Sequence, residues 1–221
     1  MSFDAVAPWY RTLETIAFGN ALQRARVACL DEIGSPRRAL NEGEGNGRFL
    51  CELLRKQPGI EVDYADASAR MLDLARRRIQ RAIPEAAGRV RFLHRDITSW
   101  APEPKGYDLI VTHFFLDCFP ADQLGAVVRK LSQAAAADAI WLLADFRMPP
   151  EPRSCLTAKM WLRAMYLFFR VTARIEARKL IDPSPFLRAE GFSLVQQHLS
   201  RHGMLKSQMW RRHGSDAAPS A

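Results

Sequence analysis

The sequence predicts an α/β protein built on a doubly wound, mostly parallel sheet, and three observations lead there. From Arg37 onward, short apolar runs alternate with longer amphipathic stretches, the pattern left by parallel strands joined through crossover helices. A turn carrying three alternating glycines, Gly43, Gly45 and Gly47, joins the end of one apolar run to the start of a helical stretch. The chain of 221 residues is 48% hydrophobic and 25% charged. A chain of that size buries roughly 70% of the surface its unfolded form exposes, so one core suffices without staples.

Residues 3–33 read as helical and carry Trp9, Tyr10 and Phe18. Strands are expected over 38–41, 61–65, 90–94, 109–112 and 140–144, each an apolar run stopped by a polar residue or glycine. Helices are expected between them over 48–56, 69–82 and 121–135; in the second, Met71, Leu72, Ala75 and Ile79 recur at helical spacing. The Pro-rich stretch 148–152 closes this core. Beyond it, 159–178 reads as one aromatic-rich helix, Pro183 and Pro185 mark a loop, and 192–198 with 205–211 alternate like a closing strand pair. The organisation expected is one domain over 1–212: an N-terminal helical lid (1–35), a ligand-binding core (36–148), then a lid helix and closing strands (149–212). Residues 213–221, small and polar, form a disordered tail.

The net charge of +8 favours anionic partners without choosing among nucleic acid, anionic lipid and an acidic small molecule. The four cysteines, Cys29, Cys51, Cys118 and Cys155, form no CxxC pair and meet no histidine at zinc-ligand spacing, so neither a disulfide framework nor a metal site is expected. With Asp4 early, no signal-like start and no run of eighteen apolar residues, a cytoplasmic protein with reduced thiols is expected.

The stretch from Ala39 to Leu50 runs strand end, glycine turn, helix start. Glycine there permits positive φ, and a missing Cβ lets a ligand lie against the backbone, unless the turn serves only tight packing. About twenty residues past Gly47, Asp66 ends the next strand, where one carboxylate can hold a ribose diol by two hydrogen bonds. Asp63 lies within the same run and reads as a strand-face residue. Asp96 ends the third strand in the same relative position.

The order Asn41-x-Gly43-x-Gly45-x-Gly47, Asp66-Ala67-Ser68 leading into Met71-Leu72, Arg95-Asp96-Ile97, and Tyr107-Asp108-Leu109-Ile110-Val111 resembles the class I S-adenosylmethionine-dependent methyltransferases, over roughly residues 3 to 212. The flanking Phe3-Asp4-x-x-Ala7-Pro8-Trp9-Tyr10 and Ala144-Asp145-Phe146 are similar to the small-molecule branch that includes quinone-biosynthesis enzymes. The resemblance implies a Rossmann-like sheet of about seven strands and S-adenosyl-L-methionine as cofactor. Gly43, Gly45 and Gly47 would run beneath its methionine and ribose, Asp66 with Ala67 would hold the ribose, and Asp96 with the Ile97 backbone would read the adenine. The chain departs from the family with Asn41 in place of a carboxylate, Glu42 in place of a bulky apolar residue, and Glu44 in place of a small one. Asn41 lacks the charge to pair with the methionine ammonium, and Glu44 is the candidate to supply it.

Methyl transfer asks chiefly for alignment, with a base needed only for a protic acceptor. His113 and Asp117, just past the fourth strand, are the candidate catalytic residues, and His113 is also a candidate cofactor contact; packing for His113 and helix capping for Asp117 are the alternatives. Asp145 either meets substrate or caps its loop. Tyr10 is read as a lid over the sulfonium, with packing of the N-terminal helix as the alternative. On 159–178, the aromatics line either the protein's own core or an acceptor pocket, and Arg163, Arg170, Arg174 and Arg178 face either solvent or an anionic membrane surface. The function expected is methyl transfer to a small, hydrophobic or acidic molecule. The alternatives are an RNA methyltransferase, which lacks here an appended RNA-binding module, a nicotinamide dehydrogenase, which wants G-x-G-x-x-G, and a non-catalytic nucleotide-binding protein of the same fold.

Overall fold

The structure, a computed structural model, describes residues 20–147, 180–201 and 203–212. Tyr10 and the rest of the N-terminal aromatic segment, the helix expected over 159–178 and the tail expected over 213–221 lie outside the described residues.

Seven strands form one sheet in the order β3-β2-β1-β4-β5-β7-β6. They are β1 (Arg38–Glu42), β2 (Glu61–Asp66), β3 (Val90–His94), β4 (Tyr107–His113), β5 (Ala135–Phe146), β6 (Phe192–Ser200) and β7 (Leu205–Arg212). The first five pair in parallel, and β7 runs antiparallel to both β5 and β6. The order reverses between β1 and β4, and in such sheets that switch opens a crevice at the carboxyl ends of the strands.

The helices are α1 (Ala21–Val27), α2 (Arg48–Lys56), α3 (Ala69–Ala82), α4 (Ala121–Ala134) and α5 (Ser184–Ala189). Both faces of the sheet are covered. On one, Ala39, Val62, Leu109 and Leu142 pack against Phe49, Leu53, Leu72 and Ile79 from α2 and α3. On the other, Leu40, Ala65, Ile110 and Trp141 pack against Leu124, Val128 and Leu131 from α4 and Leu187 from α5. Two covered faces explain why the central strands read as continuous apolar runs and not as alternation.

The structure corrects the expected elements in four ways. Strand ends run on into polar residues, to Glu42, Asp66 and His113, because buried neighbours continue the ladder past the apolar run. The helix expected to 135 ends at Ala134, and β5 starts at once, twelve residues long. Within the expected helix over 3–33, the described part is helical only over Ala21–Val27. Pro183 and Pro185 sit at the start of α5: proline needs no hydrogen-bond partner in a first helical turn, and the Asp182 carboxylate accepts from the Ser184 amide (3.2 Å) and hydroxyl (2.8 Å).

Candidate functional site

The glycine turn leaves β1 at Glu42 and enters α2 at Arg48, with Gly43, Gly45 and Gly47 at φ 66°, 89° and 73°. All three use the left-handed region that glycine enters freely, but their missing Cβ atoms serve different ends. A Cβ on Gly43 would run into the Phe115 ring, and one on Gly47 would come within 2.9 Å of the Ala75 Cβ. Only on Gly45, whose nearest neighbour would be Met71 Sδ at 3.8 Å, does the backbone face room. The loop is fixed from outside: the Tyr64 hydroxyl donates to the Gly45 carbonyl (2.9 Å) and Arg78 Nε to the Asn46 carbonyl (2.8 Å).

Glu44 does not turn toward the crevice. Its Oε1 accepts from the Phe49 amide (2.7 Å), and its Oε2 from the Leu50 amide (3.1 Å) and Asn41 Nδ2 (3.0 Å). A carboxylate on the first amides of a helix satisfies donors that have no partner within the helix. Asn41 and Glu42 stand differently. Each is buried at the carboxyl end of β1, yet Asn41 Oδ1 and Glu42 Oε2 meet no hydrogen-bond donor among the described residues. Burial pushes the Glu42 carboxyl well above the usual carboxylate range, and Asp66 and Asp96 push it further.

Asp66 closes β2, and its Oδ1 accepts from the Ser68 amide (2.8 Å), while Ser68 Oγ caps α3 through the Met71 amide (3.2 Å). Ala67, half-buried between them, gives its carbonyl to His94 Nε2 (3.1 Å). Asp96 follows β3 and accepts from the amide and hydroxyl of Thr98 (2.9 and 2.7 Å). Ile97 is buried, and its carbonyl is held by Lys130 Nζ at 2.7 Å, with the Thr98 carbonyl at 2.8 Å. The glycine turn, Asp66 and Asp96 thus gather at the ends of β1, β2 and β3.

Past β4 the chain turns sharply at Phe114, a non-glycine residue at φ 55°. Such a conformation costs on the order of 1–3 kcal/mol and persists where packing enforces it. Here Phe114 donates its amide to the Ala144 carbonyl (2.7 Å) and stacks on Phe146 at 5.1 Å. The turn sends Phe115 over Gly43 and Asp117 toward Asp145 at the end of β5. Asp117 and Asp145 are both buried and lie close enough for the ionisation of each to act on the other. Burial raises both carboxyls above their usual range; Asp117 pushes Asp145 up further, whereas Asp145 draws Asp117 down, and Lys206, itself ion-paired to Asp182 at 2.6 Å, pulls both back.

His113 and Asp117 do not form a catalytic pair. In β4 His113 shares the face of Leu109 and Val111 and stands edge-on to Phe49 at 4.5 Å, on the α2 side. Asp145 alternates with Leu143 and Trp141, which face α4. Burial and the Arg26 charge hold the His113 imidazole well below its usual range, hence neutral, and its Nδ1 meets no partner among the described residues. The sequence offers His113, Asp117 and Asp145 as separate candidates, and it does not show that Asp145 lies beside Asp117, because β5 brings the two together only through the sheet.

Residues 40–140 match the family model described as "Methyltransferase domain". Over that stretch the chain is similar to methyltransferase domains. The stretch spans β1 to the first half of β5, and so contains the glycine turn, Asp66, Asp96, His113 and Asp117. No curated protein matches the chain. Among solved structures, an O-methyltransferase family protein from Burkholderia thailandensis superimposes with a TM-score of 0.68 at 17% identity, covering 94% of this chain and 61% of that one. The 1,6-didemethyltoxoflavin-N1-methyltransferase of the same organism, solved with 1,6-didemethyltoxoflavin and S-adenosylhomocysteine, gives 0.65 at 16% identity, covering 95% and 86%. Mitomycin 7-O-methyltransferase gives 0.68 at 18% identity, but this chain spans only 61% of its length. These likenesses establish the fold around the matched segment, a Rossmann-like sheet of seven strands.

Proposed function

We propose that the chain transfers a methyl group from S-adenosylmethionine to a hydroxyl or N–H group of a small, hydrophobic molecule. The observation that carries this reading is the coincidence of the methyltransferase-domain match with a crevice at the carboxyl ends of β1 to β4 where buried acceptors lack donors. Asn41 Oδ1 and Glu42 Oε2 suit an amino-bearing cation, and the room over Gly45 suits a ligand lying on the backbone. The residues present therefore fit the cofactor. Bound there, it supplies a methyl group on a positively charged sulfur, open to in-line displacement.

The chain's own residues do the rest. Asn41 and Glu42 accept from the methionine ammonium, a role Glu44 leaves to them because both its oxygens are engaged at the start of α2. Asp66, beside Ala67, holds the ribose diol. Asp96 and the Ile97 backbone bind the adenine edge, on a loop that Lys130 pins from α4. Gly43 and Gly47 shape the turn around Gly45. On the acceptor side the base is the Asp117–Asp145 pair: Asp117 takes the acceptor's proton in its ionised form. Neutral His113, on the α2 face, walls the methionine end. Tyr10 as a lid, and 159–178 as an acceptor pocket touching an anionic membrane, belong to the same reading on sequence grounds. Two structural neighbours named for methyl transfer to small molecules, 1,6-didemethyltoxoflavin and mitomycin, support the acceptor class.

Thermal-shift measurements test the cofactor assignment: S-adenosylmethionine and S-adenosylhomocysteine should stabilise the protein and NAD should not, and stabilisation by NAD alone would overturn it. Formation of S-adenosylhomocysteine over a panel of phenols and nitrogen heterocycles then tests the acceptor class. With an acceptor in hand, Asp117→Asn should lower kcat on the order of 10²-fold while leaving the KM for S-adenosylmethionine unchanged.

A further inference from the structure

Glu42 is the least expected residue of the crevice, a carboxyl 1% exposed at the end of a strand and on the same face as the buried Leu40. Its Oε2, like the neighbouring Asn41 Oδ1, has no donor among the described residues. A buried ionised carboxylate with an empty oxygen is costly, and the group escapes that cost by keeping a proton or by meeting a cation. No cation of the described structure does the second. The charged groups facing Glu42 from β2 and from the loop after β3 are Asp66 and Asp96, both carboxylates. On β4 the residue after Val111, which pairs with Asn41, is the uncharged Thr112, whose Oγ1 accepts from Trp141 Nε1 at 2.8 Å. On the opposite face the Arg26 charge from α1 acts on Glu44 and His113. Like charges on two sides and burial all around favour the protonated form in the cofactor-free protein.

We propose that Glu42 is a proton-linked cation ligand: it is a neutral carboxyl in the cofactor-free protein and gives up its proton when S-adenosylmethionine binds. This rests on the methyltransferase reading above and deepens it. The step balances simply. The O–H bond of the Glu42 carboxyl breaks, the proton passes to the buffer, and the carboxylate left behind faces a ligand that brings both an ammonium and a sulfonium charge. Binding then keeps a pH dependence in a range where a site with an ordinary, already ionised carboxylate has none: affinity for S-adenosylmethionine rises with pH as long as free Glu42 remains protonated. The device also keeps β1 free of a buried charge while the crevice is empty, which accounts for a carboxyl being tolerated where the family carries an apolar side chain.

The test is calorimetric titration of S-adenosylmethionine into the full chain at one pH in buffers of different ionisation enthalpy. The slope of observed heat against that enthalpy gives the protons released, about one per cofactor bound at neutral pH for the wild type and near zero for Glu42→Gln. Because Gln keeps the shape of the neutral carboxyl, the variant should fold, and melting curves verify this; the wild-type slope decides the matter even without it. Binding with no proton release by the wild type overturns the proposal and leaves the methyltransferase reading standing, as does undiminished release by Glu42→Gln. Failure of S-adenosylmethionine to bind at all overturns both.

Discussion

Asp63 and Glu42 lie on the same face of the sheet, Asp63 opposite Leu40 in the β1–β2 ladder and Glu42 two residues further on. Both are buried acids, yet they are treated in opposite ways. Arg91 reaches Asp63 with two nitrogens at 2.7 and 2.6 Å, Tyr107 donates its hydroxyl at 2.7 Å, and Arg38 adds a contact at 3.3 Å. Burial works against ionisation there, but these donors outweigh it and hold the Asp63 carboxyl below its usual range. Glu42, toward the carboxyl end, has an oxygen without a donor among the described residues and two carboxylate neighbours. The lesson is that a satisfied buried charge is scaffold, whereas an unsatisfied one marks where a ligand completes the structure. The same contrast separates Glu44, with three donors, from Glu42, only two residues away.

The contrast can be pressed hardest at the glycine turn. Gly43→Ala should lower stability by about 3 kcal/mol, since it combines a left-handed backbone with a collision against Phe115. Gly45→Ala should cost only about 1 kcal/mol in urea unfolding, because nothing crowds the new methyl, but should weaken S-adenosylmethionine binding at least about tenfold. Equal effects of the two on affinity would erase the distinction between a packing glycine and a ligand-facing one.

The next effect is carried by pH. Asp63 has a lowered carboxyl, so its stabilisation is present above the ordinary carboxylate range and is lost as pH falls through its folded value. Asp117 and Asp145 are raised, so their contribution is largest in acid and is lost as pH climbs above the ordinary carboxylate range. Asp63→Asn should therefore cost about 2 kcal/mol at pH 7 and little in acid, an amount held down by the hydration open to Arg91, whose side chain is 60% exposed. Asp145→Asn should be neutral in acid and stabilising by about 1 kcal/mol at pH 8. Urea unfolding of the three proteins across pH checks both signs. The smallest effect belongs to Glu44→Gln, which should lose about 1 kcal/mol of stability from the start of α2 and leave S-adenosylmethionine affinity within about threefold. A larger fall in affinity would return Glu44 to the cofactor.

The central strands and α2 to α4 were legible because apolar runs and helical spacing are local patterns enforced by burial on both faces of the sheet. The approximate position of the crevice was legible too, since Gly43 to Gly47, Asp66 and Asp96 each follow a strand. The start of α5 was not, because Pro183 and Pro185 signal a break unless a first helical turn receives them. Nor was the division of labour within Asn41-Glu42-Gly43-Glu44. Side-chain chemistry makes Glu42 and Glu44 equivalent, and only the entry angle of α2 gives one of them the helix amides and leaves Oε2 of the other without a donor among the described residues.

By itself, the sequence determined the α/β class, the parallel core and the strand ends around which a nucleotide-like ligand would be held. The tertiary structure decided which acids are already paired. It put Asp117 beside Asp145, residues 28 positions apart in the chain, and left His113 on the other face of the sheet. The physical reason is that a backbone pattern follows from local propensity and burial, whereas a carboxyl's protonation and role depend on the few donors and charges within hydrogen-bond reach, which only the folded chain assembles.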